Sequence, residues 1–433
     1  GLGDVYKRQR QDESYCWCPE DYKVQVSFDL QGTQFTPNEY KPYSQKWEDV
    51  DKQLLKPENT QFGEHLSLTN PFRPETKQAY NSEMNFEEKI ICAFQVLKKK
   101  MAWNGRYQLY SKELEKVIKK GSGSNADLNF ILISILKDFG LEAYPVVMSR
   151  RSSGMLPYNF PSLQKLNTFF VAIHDINKQK YVFLDSSMDV PAFNILPLEL
   201  SVNKARMLSL KEKEEKKWVN VMALSHNKSF MKIDARIEGN QVKGHRSTVL
   251  YGQEAIEYQA NENHKQDNLV SNPENKVSQK EKLTVTNLKV KKQENDWALI
   301  EEEFDFVLQA DRTDDHLYIN PMLFPQLKSN PFIQTERVLP IEFPYPYKFT
   351  MLSTLTLPEG YEVEELPQSQ SIRSEGDGLQ CKYMIQQQGN TILLNYVFHL
   401  KGYIFLSEQY KQLQELWAKV IEKNNALIVL KKI

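Results

Sequence analysis

Four cysteines in 433 residues, Cys16, Cys18, Cys92 and Cys381, are too few and too scattered for a disulfide framework or a four-thiolate zinc site. Cys16-Trp17-Cys18 has one intervening residue and no matching His or Cys pair, so it is assigned no metal role, and the pairing state of the two thiols stays open. Charge of one sign is also missing. Fifty-five Lys+Arg against fifty-six Asp+Glu give a net charge of −1, which leaves no excess for nucleic acid or anionic lipid. No apolar run approaches the roughly 18 residues of a membrane span, and stretches such as Ile131 to Ile135 are core-sized. The histidines, His65, His174 and His245 among them, show no ligand spacing, and Gly121-Ser122-Gly123-Ser124 lacks the Lys-Ser/Thr of a phosphate loop. No cofactor or metal is expected.

What is present suffices for several ordinary cores: 40 % hydrophobic and 11 % aromatic residues, over a length that fits two to four domains. The opening Gly1 to Gln9 has neither signal-peptide pattern nor periodicity and reads as a non-native start on a longer frame. Val24 to Leu30 alternates at period two, as a half-buried strand left from an upstream β-domain in residues 1–35. Residues 36–80 are polar, with Trp47, Leu54, Leu55 and Phe62 spaced as short covering helices, and read as a connecting arm.

From Asn85 the pattern is helical. Asn85-Phe86-Glu87-Glu88 has capping-box form ahead of Phe86, Ile90, Phe94 and Leu97. A second helix starts at the cap Ser124-Asn125-Ala126-Asp127, carries apolar residues on more than one side and stops at Gly140, which suits the left-handed position after a helix. Strands at Ala143–Met148, Asn167–His174 and Tyr181–Leu184 follow, with His174 read as an exposed turn residue. Beyond Pro197 the chain turns charge-rich, then offers short alternating strands: Phe230–Ile237, Leu283–Val290 and Ala298–Leu308. A polar loop is expected over 261–282. Further strands fill 341–400, an amphipathic helix over 407–423 carries Tyr410, Leu413, Trp417, Val420 and Ile421 on one face, and Ala426–Leu430 closes the chain. The fold class is α+β and multidomain: a core over 81–205, a β-domain over 206–340, and a C-terminal β-domain over 341–433 with its helix.

The loop Gly121 to Asp127 enters a buried helix, where unpaired N–H groups and the helix dipole favour an anion or an acidified nucleophile. Asn167 opens the following strand pair and Asp185 ends it. Gly123-Ser124-Asn125-Ala126-Asp127, with Gly140-Leu141-Glu142-Ala143 closing the helix, resembles the bacterial transglutaminase-like family, whose core shares the papain-like cysteine-protease fold. The family's Gly-x-Cys-x-Asp nucleophile motif puts Asn125 where the cysteine would be; the family's histidine falls on Asn167, in Asn167-Thr168-Phe169-Phe170; the family's acid falls on Asp185, in Asp185-Ser186-Ser187. Ala143 to Val147 with Ser149-Arg150, Met101 to Gly105, and the C-terminal region extend the likeness to a subgroup in which β-domains flank the core.

This resemblance implies a triad reduced to its acid. A carboxamide is neither nucleophile nor base, so the expected protein is a pseudoenzyme, an exported binding or assembly module. Candidate cleft residues are Trp103, Ser124, Asn125, Asp127, Asn167, Phe169 and Asp185. The ligand classes left open are a peptide, a protein or a glycan, with nucleic acid excluded and a periplasmic or exported setting implied. Two rivals remain: a hydrolase with a relocated nucleophile such as Ser124, and a structural spacer.

Overall fold

The computed structural model describes residues 13–24, 32–36, 39–42, 46–58, 60–111, 113–267, 283–293 and 296–433. The strand expected over Val24–Leu30 lies largely outside them. Mixed α and β elements form two compact units, one of residues 17–225 and one of residues up to 16 together with 226–433.

In the first unit, α1 (Trp47–Leu55), α2 (Gln61–Leu66), α3 (Arg73–Ala79) and α4 (Phe86–Lys100) precede the central helix α5 (Asn125–Asp138). Both capping boxes form: Asn85 with Glu88 on α4, and Ser124 with Asp127 on α5. Every α5 residue from Asn125 to Leu136 is buried, and Gly140 takes φ +74 just beyond it. The strands are β1 (Glu142–Met148), β2 (Thr168–Asp175), β3 (Lys180–Leu184), β4 (Ala205–Met207) and β5 (Trp218–Val219), ordered β3-β2-β1-β4-β5 with every pairing antiparallel. Phe169, Val171 and Ile173 face the helices, while Phe170 and Ala172 face a smaller apolar cluster on the other side of the sheet.

The connecting arm is a correction: α1 and α2 are part of this core. Val50, Leu54 and Phe62 have no exposed surface. Arg206 on β4, fully buried, donates through Nε and Nη2 to the two carboxylate oxygens of Asp51 on α1 at 2.6 and 2.8 Å, and through Nη1 to Glu214 at 2.6 Å. Its guanidinium lies 5.7 Å from the Trp47 ring and 5.1 Å from the Trp218 ring. A polar-looking stretch joins the domain through one ion-pair cluster that composition does not reveal. His174 is likewise no turn residue: it lies in β2, stacks on Tyr181 at 4.8 Å and faces Glu142 at 3.5 Å.

The second unit is built on one sheet of eight strands. These are β6 (Lys228–Glu238), β7 (Gln241–Tyr251), β8 (Leu283–Gln293), β9 (Asp296–Gln309), β10 (Tyr347–Thr356), β11 (Gln370–Arg373), β12 (Leu379–Gln388) and β13 (Thr391–Leu400), in the order β8-β9-β7-β6-β10-β13-β12-β11. β6 and β10 pair in parallel from Lys228↔Lys348 to Arg236↔Thr356. The two β-domains expected on either side of residue 340 are therefore one, because the main-chain ladder crosses that boundary. The polar loop expected over 261–282 also needs correction, since helix α6 (Gln253–Asp267) runs into it. Helix α7 (Tyr410–Asn424) buries Tyr410, Leu413, Trp417 and Val420, as its stripe predicts, with Trp417 stacked on Phe343 and edge-on to Phe398. Among the described residues no helix is long and apolar enough to cross a membrane.

Candidate functional site

Helix α5 begins where the Ser124 hydroxyl and amide both donate to Asp127 Oδ2 at 2.7 Å, while Ser124 Oγ accepts from the Asp127 amide at 3.3 Å. The serine is thereby committed to capping. Gly123 ahead of it has no room for a side chain, since a Cβ there would come within 2.8 Å of Asp127 Cβ and 2.6 Å of Val117 Cγ1.

Asn125 follows as the first helical residue and is fully buried. Its Oδ1 accepts from the Gln108 amide at 2.9 Å, and its Nδ2 donates to Thr168 Oγ1 at 2.8 Å and to the Phe169 carbonyl at 3.0 Å, with Asp185 Oδ2 at 3.5 Å. Its own amide donates to the Arg106 carbonyl at 3.0 Å. The segment from Arg106 to Gln108 thus closes over the position where the resemblance expects a nucleophile.

One turn along, Asn129 presents the same helix face, as residues four apart do. Its Nδ2 donates to the Phe169 carbonyl at 2.8 Å and to Asp185 Oδ2 at 2.9 Å, and its Oδ1 accepts from the Ser186 amide at 3.0 Å. Asp185 comes from just beyond β3, where the register Val171↔Leu184 carries it to the start of β2. Its other oxygen accepts from the Ser187 amide at 2.9 Å and from the Ser187 hydroxyl. Burial raises the Asp185 carboxyl above its ordinary range, and the donors Ser187, Asn129 and Asn125 oppose that rise. Lys98 approaches from α4, donating to the Ser186 carbonyl at 3.2 Å; burial lowers its ammonium while Asp189 and Asp185 hold it up. Burial also raises the Tyr107 phenol, helped by the negative Asp185.

The convergence expected of Asn125, Asn167 and Asp185 is met for the first and last only. Asn167 turns away: its Oδ1 accepts from the Arg150 amide and its N–H donates to the Met148 carbonyl, each at 3.0 Å, so it clips the end of β1 to the start of β2. Thr168 supplies the β2 side chain that meets Asn125, one position from the expected register, and a hydroxyl there can take no proton at neutral pH. Asn129 is the partner that sequence reasoning missed, although a lone Asn in the apolar run Leu128 to Ile133 is a readable signal. The candidate cleft is closed: Ser124, Asn125, Asp127, Phe169 and Asp185 are each at most 4 % exposed. Phe169 packs against Phe62 and Phe130 in the core, and the half-buried Trp103 donates its indole N–H to the Arg106 carbonyl. No group of three or more His, Cys, Asp and Glu residues suited to a metal ion occurs among the described residues.

A family model described as a domain of unknown function with a solved structure (DUF3858) matches residues 315–430, within the β-rich unit. No curated protein matches the chain. The crystal structure of a protein titled a "putative protease" from Parabacteroides distasonis resembles it with a TM-score of 0.50 and 13 % identity, over 88 % of this chain and 57 % of that one. This chain therefore spans a little more than half the length of that relative, and at such identity the likeness is one of fold.

Proposed function

We propose that the chain is a non-catalytic protein with a transglutaminase-like core, an exported binding or assembly module in which the former reaction centre has become a structural lock. The observation that carries this reading is Asn125: a carboxamide in the nucleophile's position, without exposed surface, both of its polar atoms engaged. Among the described residues neither a thiolate nor an imidazole meets Asn125, and acyl transfer in this geometry needs both an activated nucleophile and its base. The relocated nucleophile is disfavoured because Ser124 is bonded to Asp127 and lies under the same cover. Binding is then a task for surfaces away from Asn125. The export setting follows from the family resemblance.

The purified chain should neither incorporate a primary amine into glutaminyl peptides nor cleave peptides above background, and a serine-reactive phosphonate should leave Ser124 unlabelled. Turnover that disappears in Ser124→Ala would overturn the proposal.

A further inference from the structure

The β-rich unit holds a cavity of 310 Å³, at the small end of the range for small-molecule sites. Its walls are aromatic: Phe343, Tyr345, Tyr347, Phe398 and Trp417 are among the lining residues, and one carboxylate, Glu254 from the first turn of α6, lies with them. The hydroxyls of Tyr347 and Ser229, themselves 2.7 Å apart, hydrogen-bond Glu254. A second carboxylate, Glu257, is exposed one turn along, with the Tyr345 hydroxyl donating to it at 3.4 Å. The charged and titratable groups facing Glu254 are thus Glu257 on its own helix, Tyr347 at the start of β10 and Tyr345 in the bend just before it. No basic side chain among the described residues pairs with either carboxylate.

That combination is chemically specific. A half-buried carboxylate without a counter-charge is costly, and the usual remedy is a cation or a proton. Burial, with Glu257 nearby, raises the Glu254 carboxyl to about 6, so it is largely ionised at neutral pH and lacks a positive partner. Aromatic faces attract an ammonium through their quadrupoles, most strongly when it is desolvated. A hydrated divalent metal suits neither the apolar walls nor a single interior carboxylate.

We propose that this cavity binds an organic cation, an alkylammonium group of the kind a lysine side chain carries, with Glu254 as its counter-charge and the surrounding rings as its walls. The inference goes beyond the reading of the α/β unit and does not depend on it: a turnover assay tests that reading, and a binding titration tests this one.

The test is titration of the full chain with Nα-acetyl-lysine N-methylamide, read by calorimetry and by ligand-observed NMR. Saturable binding is expected at pH 7.5, weakened at least tenfold by Glu254→Gln and by lowering the pH to 5, where Glu254 is protonated. Because a cation stabilises the ionised carboxylate, binding near pH 6 should release protons, seen as a heat that depends on the buffer. The Nε-acetylated analogue, neutral and of similar shape, should bind no better than the Glu254→Gln protein binds the amine. Tyr345→Ala, which removes a wall and leaves the carboxylate in place, is the second variant and should weaken binding severalfold. Absence of saturable binding, equal binding of the neutral analogue, or affinity unchanged in both variants would overturn the proposal.

Discussion

Replacing Asn129 with alanine tests whether the buried polar cluster at the head of α5 is a structural lock. The substitution deletes the donor 2.9 Å from Asp185 Oδ2 and the acceptor of the Ser186 amide, both in a region closed to water. Each buried group left without a partner costs about 1–3 kcal/mol, so the two together should cost roughly 2–6 kcal/mol. For a unit of this size that is a fall in Tm of about 4–24 °C. The loss should also depend on pH. The folded-state pKa of Asp185 lies above its unfolded value, so its contribution favours the fold at acid pH and is lost as pH rises through the folded pKa. Removing a donor from the carboxylate pushes that pKa higher still. Asn129→Ala should therefore be more damaging at pH 7.5 than at pH 5. Urea unfolding of the full chain at both values gives the magnitude, and hydrogen exchange across 125–138 and 168–184 assigns it to this unit. A change below about 0.5 kcal/mol, the range of an ordinary surface substitution, would refute the lock.

Asp51→Asn leaves the Arg206 guanidinium short of its buried counter-charge and should destabilise by about 3–5 kcal/mol, measured by urea unfolding. Ser124→Ala removes the α5 cap and should cost about 0.5–2 kcal/mol, with no accompanying change in any turnover assay. Trp417→Ala should cost about 3–5 kcal/mol, because the indole is enclosed by Phe343, Phe332 and Phe398; a Tm shift under about 2 °C would show that the helix is held elsewhere.

The parts of the fold that were legible in the sequence are those governed by local rules. Both capping boxes, the apolar length of α5 and the turn at Gly140 are specified by residues within a few positions of one another, and they form as read. The Trp417 stripe belongs to the same class. What could not be read depends on partners far along the chain. The contribution of α1 is decided by Asp51 meeting Arg206, 155 positions away, so composition alone suggested a solvated arm. Register at a strand end is similarly elusive, since period two says which residues alternate but not where the strand begins. Asn167 lies just before β2 and is drawn to the Arg150 amide, which hands its expected place to Thr168. The division at residue 340 failed for a related reason, because nothing local announces that β6 pairs with β10.

That parallel pair has a consequence for how the protein is made. Lys228 pairs with Lys348, so β6 leaves the ribosome some 120 positions ahead of the strand that must cover its edge. At about 5–20 residues per second the wait is roughly 6–24 s, far longer than the microseconds a hairpin needs to form. During it, β6 carries the apolar face of Met231, Ile233, Ala235 and Ile237 beside an unpaired row of main-chain donors and acceptors. The nascent chain thus has an interval in which a neighbouring copy can add the missing strand before its own arrives. A fragment cut to the matched residues 315–430 inverts the problem, keeping β10 and losing its partner for good. Slower synthesis should lower the yield of folded chain rather than raise it, and a chaperone that shields sheet edges should matter most before residue 348 emerges.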